Sequence, residues 1–232
     1  MGLYCQYFAV GLVSGVLPGT LYGFFMGYLQ VESHVYATAA QVVSLPWSFK
    51  FVYGILNDCV PIRGYRRVPY MALGWIITAA ALVALANQPM PARGDSSAAA
   101  LFSVYMALAA VGYVMADVAA DGLTVQHAKH EPLAVRGTLQ ANVYLMRTIG
   151  SIVASLFVGL GMNGKEYLGT FKTSLSLTHV CGTLVLPALL MVPISCKYIE
   201  ETVVEEPVQS VRQYLHECWC MLCSKAMFYV VV

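Results

Sequence analysis

Four ionisable side chains, Lys50, Asp117, Asp121 and Arg147, stand inside stretches that are otherwise apolar. A charge in hydrocarbon costs roughly 3 kcal/mol or more, so such residues face a partner, a bundle interior or a water-filled cavity. Asp117 and Asp121 are one helical turn apart and share a face. Two cations and two anions cancel formally, and a shared network costs less than four isolated ions. Polar and aromatic residues accompany them at helical spacing: Trp47, Lys50, Gly54 and Asn57, then Tyr113 with the two aspartates, then Gln140, Tyr144, Arg147 and Ser151. These faces are expected to line a cavity that admits a polar solute. The alternative is a structural salt-bridge network that touches no ligand.

The surrounding chain decides what medium holds these charges. Of 232 residues, 59% are hydrophobic and only 11% charged, against about 25% charged in ordinary soluble domains. That excludes a soluble globular protein. Lys plus Arg number 13 and Asp plus Glu 12, so no basic surplus exists to neutralise phosphates, and nucleic-acid binding is not expected.

A bilayer core about 30 Å thick takes roughly 20 apolar residues per helical crossing. Six runs reach that length: Leu3 to Leu29, Tyr36 to Asn57, Val68 to Ala86, a run that begins near Ala98 and passes both aspartates, Leu139 to Met162, and Thr173 to Cys196. The first is too long for a signal-peptide core and lacks a basic region before it, so it is expected to stay as a span. Lys50 and Arg147 lie roughly 10 to 12 Å from the inner ends of their spans at about 1.5 Å per residue, and the aspartates occupy the inner half of theirs. All four charges then share one layer.

The expected fold is an all-α, polytopic membrane protein with a six-helix bundle over residues 1–197. A cytosolic linker over 198–220 carries Glu200, Glu201, Glu205, Glu206 and Glu217 around Pro207, and residues 221–232 read as the start of a truncated seventh span. Such a plan is that of half a twelve-helix secondary transporter, each half being two three-helix repeats. The chain is therefore expected to be a piece of a longer one.

With the N-terminus inside, the inner loops hold Arg63, Arg66, Arg67, Lys129, Arg136, Lys197 and Arg212, while the outer loops hold Arg93, Lys165 and Lys172. That excess favours a cytosolic N-terminus. In the first span Gly11, Gly15, Gly19, Gly23 and Gly27 recur at a strict spacing of four, a groove for the close approach of another helix. Pro18 inside the stripe is expected to kink it.

Enzyme chemistry has no support. Both aspartates share one helix, unlike the facing pair of an intramembrane aspartyl protease, and no nucleophile elbow, zinc-protease helix or phosphate-binding loop occurs. His34, His127, His130, His179 and His216 show no metal-ligand spacing, so neither a metal nor a cofactor is expected. Cys218, Cys220 and Cys223 flank Trp219 beside the last apolar run, as ordinary interfacial thiols or as acylation sites.

The run Pro46-Trp47-Ser48-Phe49-Lys50-Phe51-Val52-Tyr53-Gly54-Ile55-Leu56-Asn57-Asp58-Cys59-Val60-Pro61-Ile62-Arg63-Gly64-Tyr65-Arg66-Arg67-Val68-Pro69-Tyr70 resembles the signature of the folate-biopterin transporter family, within the major facilitator superfamily. The run Ala116-Asp117-Val118-Ala119-Ala120-Asp121-Gly122 resembles a second motif of that family. Asn57 stands where the family usually has Ser, and Phe51 where it usually has Pro. The resemblance covers the N-terminal half of such a transporter, which leaves a C-terminal six-helix half outside the chain.

It implies secondary transport of a folate or pterin across a bilayer, in a multi-pass protein of the plasma membrane or of an organelle. Lys50, Asp117, Asp121, Arg147, Trp47, Tyr113, Tyr144 and Gln140 would form the substrate or coupling layer. Aromatic rings stack on a flat heterocycle, and Lys or Arg bind glutamate carboxylates. Either aspartate is a candidate carrier of a coupling proton. The resemblance also implies that Asp58, Gly64, Arg66 and Arg67 form a latch between the two halves, where the plain reading of these arginines is a positive-inside anchor. Two other readings stay open: a non-transporting half-protein that assembles with another chain, and a transporter of the same superfamily with a different cargo.

Overall fold

The structure, a computed structural model, describes residues 1–132, 135–201 and 210–224. It is all-α. Helix α1 spans Gly2–Leu21 and continues as a π-helical segment, Tyr22–Tyr28; α2 spans Ser33–Ser48, α3 Lys50–Cys59, α4 Val68–Ala86 and α5 Ser96–Ala128. Helix α6 follows at Thr138–Gly161, α7 at Leu177–Tyr198 and α8 at Val211–Leu222, with one 3₁₀ turn, Lys165–Tyr167, before α7. Among the described residues five helices are long and apolar enough to cross a membrane: α1 with its π-helical end, α4, α5, α6 and α7. Large apolar side chains such as Leu156 and Leu160 on α6 and Leu186 and Leu190 on α7 stand exposed, as lipid-facing residues do. This is a polytopic membrane protein.

The run from Tyr36 to Asn57 is not one continuous helix. It breaks at Phe49, whose φ of −101° and ψ of 19° leave the helical region, and whose N–H bonds the Pro46 carbonyl three residues back. Pro46 already deprives the preceding turn of one backbone bond, so two defects fall within one turn. Their consequence is positional: Lys50 becomes the first residue of α3. At Pro18, by contrast, α1 runs on as a helix and widens to the π form only from Tyr22.

The starts of α5 to α8 are capped by polar side chains, which satisfy backbone donors that have no partner within the helix. Asp95 accepts from the N–H groups of Ser97 and Ala98 at the head of α5, and those bonds, with one from the Ser97 hydroxyl, hold its carboxyl below the usual range. Ser176 and Ser210 cap α7 and α8. Glu131 caps α6 through Gly137 and Leu139. Helix α7 starts at Leu177, later than the apolar run at Thr173, because Ser176 supplies this cap. Helix α8 lies within the stretch read as a linker and takes in Met221; Glu205, Glu206, Pro207 and residues 225–232 lie outside the described residues.

Helix α1 packs along α6, α4 between α5 and α7, and α2 and α3 against α5. Glycines allow the closest approaches. A Cβ at Gly11 would run into the Arg147 backbone carbonyl, and one at Gly15 into the Ala154 side chain. Further along, Gly19 faces Val158, and Gly23 and Gly27 face Tyr167. Gly74 of α4 and Gly112 of α5 meet in the same way, each against the other's carbonyl oxygen. Trp75, Phe24, Phe25, Phe102 and Met106 fill the centre.

Candidate functional site

The break at Phe49 and the close α1–α6 seam bring charged residues from three helices to one point. The Lys50 ammonium lies 2.7 Å from Asp117 Oδ2 and 3.2 Å from Asp121 Oδ2. Arg147 Nη1 lies 3.3 Å from Asp117 Oδ1, so the fully buried Asp117 carboxylate stands between both cations. Trp47 completes the arrangement: Lys50 Nζ is 4.7 Å and Arg147 Cζ 4.9 Å from the centre of its ring. Aromatic faces attract cations at such distances. The indole N–H of Trp47 donates to the buried Tyr113 hydroxyl at 3.0 Å, which fixes the ring.

Six of the eight candidate residues therefore converge: Lys50, Asp117, Asp121, Arg147, Trp47 and Tyr113. Tyr144 reaches the group only through Tyr7, with ring centres 5.9 Å apart and nearly perpendicular. Gln140 lies exposed on α6, away from the ion pairs. It shares their helical face by period but sits two turns nearer the helix start, on the exposed side of a segment whose Leu139 and Val143 still pack into the bundle.

Two contributors escaped the reading of the sequence, and both stand on α1. The Tyr7 hydroxyl donates to Asp121 Oδ1 at 2.6 Å and lies 3.2 Å from the Thr124 hydroxyl. Gln6 is fully buried; its amide donates to the Ala116 carbonyl at 3.2 Å, and its oxygen accepts from the Trp75 indole at 2.8 Å. The signal was present, since Gln6 is the one amide in a long uncharged run. A lone amide in hydrocarbon must find a partner across a helix interface.

A second polar cluster sits at the ends of α3, α4 and α7. Arg67 pairs through Nη2 with Asp58 Oδ1, a single contact and not a two-pronged fork. Gly64, at φ 85°, and Arg63, at φ 54°, turn the chain between Ile62 and Tyr65. Gly122 of α5 leaves room for Arg67, because a Cβ there would meet the guanidinium. Arg66 takes part through its backbone. One carboxylate, Glu201, accepts from the N–H groups of Arg66, Arg67 and Val68, each at 2.8 Å, and so caps α4 from the end of α7. The Tyr214 hydroxyl of α8 donates to Asp58 Oδ2 at 3.1 Å. Burial, with the Asp58 carboxylate beside it, pushes that hydroxyl up to about 12, so it remains a donor at neutral pH.

Loss of the Glu201 cap is measurable. Glu201→Ala is expected to cost about 1–2 kcal/mol, the upper range for a helix cap, because three donors lose one acceptor group. Thermal unfolding in detergent reads it, with the exposed Glu200→Ala as the comparison, expected within about 0.5 kcal/mol of wild type. Equal losses in the two variants would reject the capping role.

Comparison with known proteins places these motifs. The BT1 family model matches residues 10–230. The chain is 28% identical over 174 residues to "Probable folate-biopterin transporter 4" of Arabidopsis thaliana, covering 75% of this chain and 32% of the relative. It is also 28% identical over 144 residues to "Probable folate-biopterin transporter 7" of the same plant, covering 62% of this chain and 32% of the relative. Against the "Folate-biopterin transporter" of Synechocystis sp. it is 28% identical over 155 residues, covering 63% and 28%. The chain thus spans about a third of the length of the curated relatives it matches. No solved structure matches it significantly. With the family model covering nearly the whole chain, and the run from Pro46 to Tyr70 within the match, the chain belongs to the BT1 family, the folate-biopterin transporter family.

Proposed function

We propose that this chain is the N-terminal bundle of a secondary active transporter for folate or pterin-type molecules, with Lys50, Asp117, Asp121, Arg147 and Trp47 forming its substrate and coupling layer. The observation that carries this reading is the meeting of four membrane charges, the two cations of which lie against one indole, in a chain of this family. The chemistry suits the cargo. A flat heterocycle stacks on Trp47, and a substrate carboxylate competes with Asp117 for Lys50 and Arg147. Protonation of an aspartate releases a cation to that carboxylate, so proton binding and substrate binding favour one another.

In this reading α2 and α3 together make the second of six crossings, arranged as two three-helix repeats of a major facilitator half. The packing supports it: α1 lies on α6 as α5 lies on α2 and α3, α4 meets α5 as α7 meets α1, and α4 meets α7. Exchange of partners between the triplets α1 to α4 and α5 to α7 is the pattern of a two-fold repeat. The ends rich in Arg and Lys then face the cytosol, with the N-terminus, and the Asp58–Arg67 pair closes that side as the latch. The partner half lies in the remainder of the transporter.

The test is uptake of labelled folate by the full-length protein. Lys50→Gln and Arg147→Gln are each expected to abolish uptake while the protein remains folded in the membrane, because Asp117 keeps one cation in either variant. Full uptake by either would overturn the site assignment.

A further inference from the structure

The first turn of α8 follows Ser210, and the helix carries three kinds of surface. At 100° per residue, Val211, Leu215 and Trp219 form one edge, Tyr214 and Cys218 the next, and Arg212, Gln213, His216, Glu217 and Cys220 the opposite arc. Each surface has a different answer to solvent. The Tyr214 edge docks on the bundle through Asp58. The polar arc bonds along itself, with the Gln213 amide donating to Glu217 at 3.3 Å and Cys220 Sγ 3.8 Å from His216 Nδ1. The remaining edge stays exposed among the described residues: Val211 is 46% exposed, Leu215 48% and Trp219 66%.

Three large apolar side chains on consecutive turns would be poorly placed in water, at about 25 cal/mol for each Å² of apolar area. Their neighbourhood names the occupant. The exposed Val52 and Leu56 of α3, with Val60 just past its end, follow one another at a spacing of four, an apolar stripe that runs down to the end where α8 docks. The apolar edge of α8 continues that stripe at the membrane surface. Arg212 borders the edge in the first turn, two turns before Trp219, where a guanidinium on a long stem reaches lipid phosphate. An indole prefers this depth, with its ring in the acyl boundary and its N–H among headgroups.

We propose that α8 is an interfacial helix, seated by Val211, Leu215 and Trp219 in the headgroup and acyl boundary of the leaflet at the Asp58 end of the bundle, with Arg212 against lipid phosphate. The occupant is phospholipid. The bilayer and Asp58 then hold opposite edges of one helix, so the loop from Asp58 to Arg67 is braced against the membrane surface through Tyr214. This assignment depends on the membrane-spanning fold and not on the cargo.

The protein reconstituted into phosphatidylcholine vesicles tests it by tryptophan quenching. Lipids brominated near the headgroup are expected to quench the wild type, and Trp219→Phe to lose most of that quenching, since Trp75 is buried in protein and Trp47 lies under its two cations. Adding Gln213→Trp to that variant moves the reporter to the polar arc, where aqueous iodide is expected to quench it and brominated lipid is not. If the Trp219 component is quenched by iodide, the edge lies in water; if neither agent reaches it, protein covers it. Either result overturns the proposal, as does equal lipid quenching from position 213.

Discussion

Asp117→Ala is expected to be the most damaging single substitution in the bundle, lowering stability by about 3 kcal/mol and abolishing transport by the full-length protein. Removing one partner of a buried pair costs about 3–5 kcal/mol, because the remaining charge keeps its burial and loses its counterion. Here two cations lose it at once. The Lys50 side chain is 34% exposed, however, and Asp121 still accepts from it at 3.2 Å, so solvent and the second aspartate place the cost at the lower end. Arg147 has no second carboxylate among the described ion pairs, and Trp47 holds both cations close to one another. Thermal unfolding in detergent reads the loss, and a second change separates charge from shape. Asp117→Asn with Lys50→Met restores neutrality, because one anion and one cation leave together. It is expected to recover a large part of the stability that Asp117→Asn alone loses. No recovery would mean that the network is not held together by its charge balance.

The second large effect concerns backbone contact. Gly11→Ala adds one methyl where it meets the Arg147 carbonyl and backbone, and neither helix can yield there as a flexible side chain does. Overpacking of this kind costs about 1–3 kcal/mol. It also pushes α6 outward at Arg147, so the 3.3 Å separation from Asp117 should lengthen. Gly19→Ala makes the same chemical change on the same stripe. Its new Cβ would meet only the Val158 side chain at 3.7 Å, ordinary contact, and replacing a helical glycine gains up to about 1 kcal/mol. The pair should therefore diverge, Gly11→Ala destabilising and Gly19→Ala neutral or better. Equal midpoints in thermal unfolding would show that the stripe is not read position by position.

Several elements were legible without coordinates. The run Val68 to Ala86 is α4 residue for residue, and Leu3 to Leu29 differs from the observed α1 and its π-helical end by one residue at each side. Such runs are easy to bound because charge and proline mark their ends sharply in a chain so apolar. Phe49 was harder. Pro46 precedes it, but Pro18, Pro187 and Pro193 lie inside continuous helices, and the break depends on backbone angles that hydropathy does not encode.

At the site, Lys50, Asp117, Asp121 and Arg147 stood out because charge is rare in hydrocarbon, while Tyr7 did not, being one of 15 tyrosines that differ only in what they touch. Glu201 looked like one of several linker acids until the end of α7 was seen against the start of α4. Gln140 shares the helical face of Arg147 yet stands exposed, because helical period alone does not fix what a residue touches.

The sequence alone determined the medium, the lengths of the apolar runs, the layer in which the charges lie and the spacing of the glycine groove. Those are properties of one segment at a time, and hydrocarbon burial is non-directional, scaling with the apolar surface a run presents. Only the tertiary structure decided that α1 pairs with α6, that Asp117 stands between two cations, and that Tyr7 and Glu201 serve as partners. Those contacts depend on how each helix is rotated and offset against its neighbour. Hydrogen bonds and ion pairs fail within an ångström or so of misplacement, and that rotation is set by packing between helices far apart in the chain.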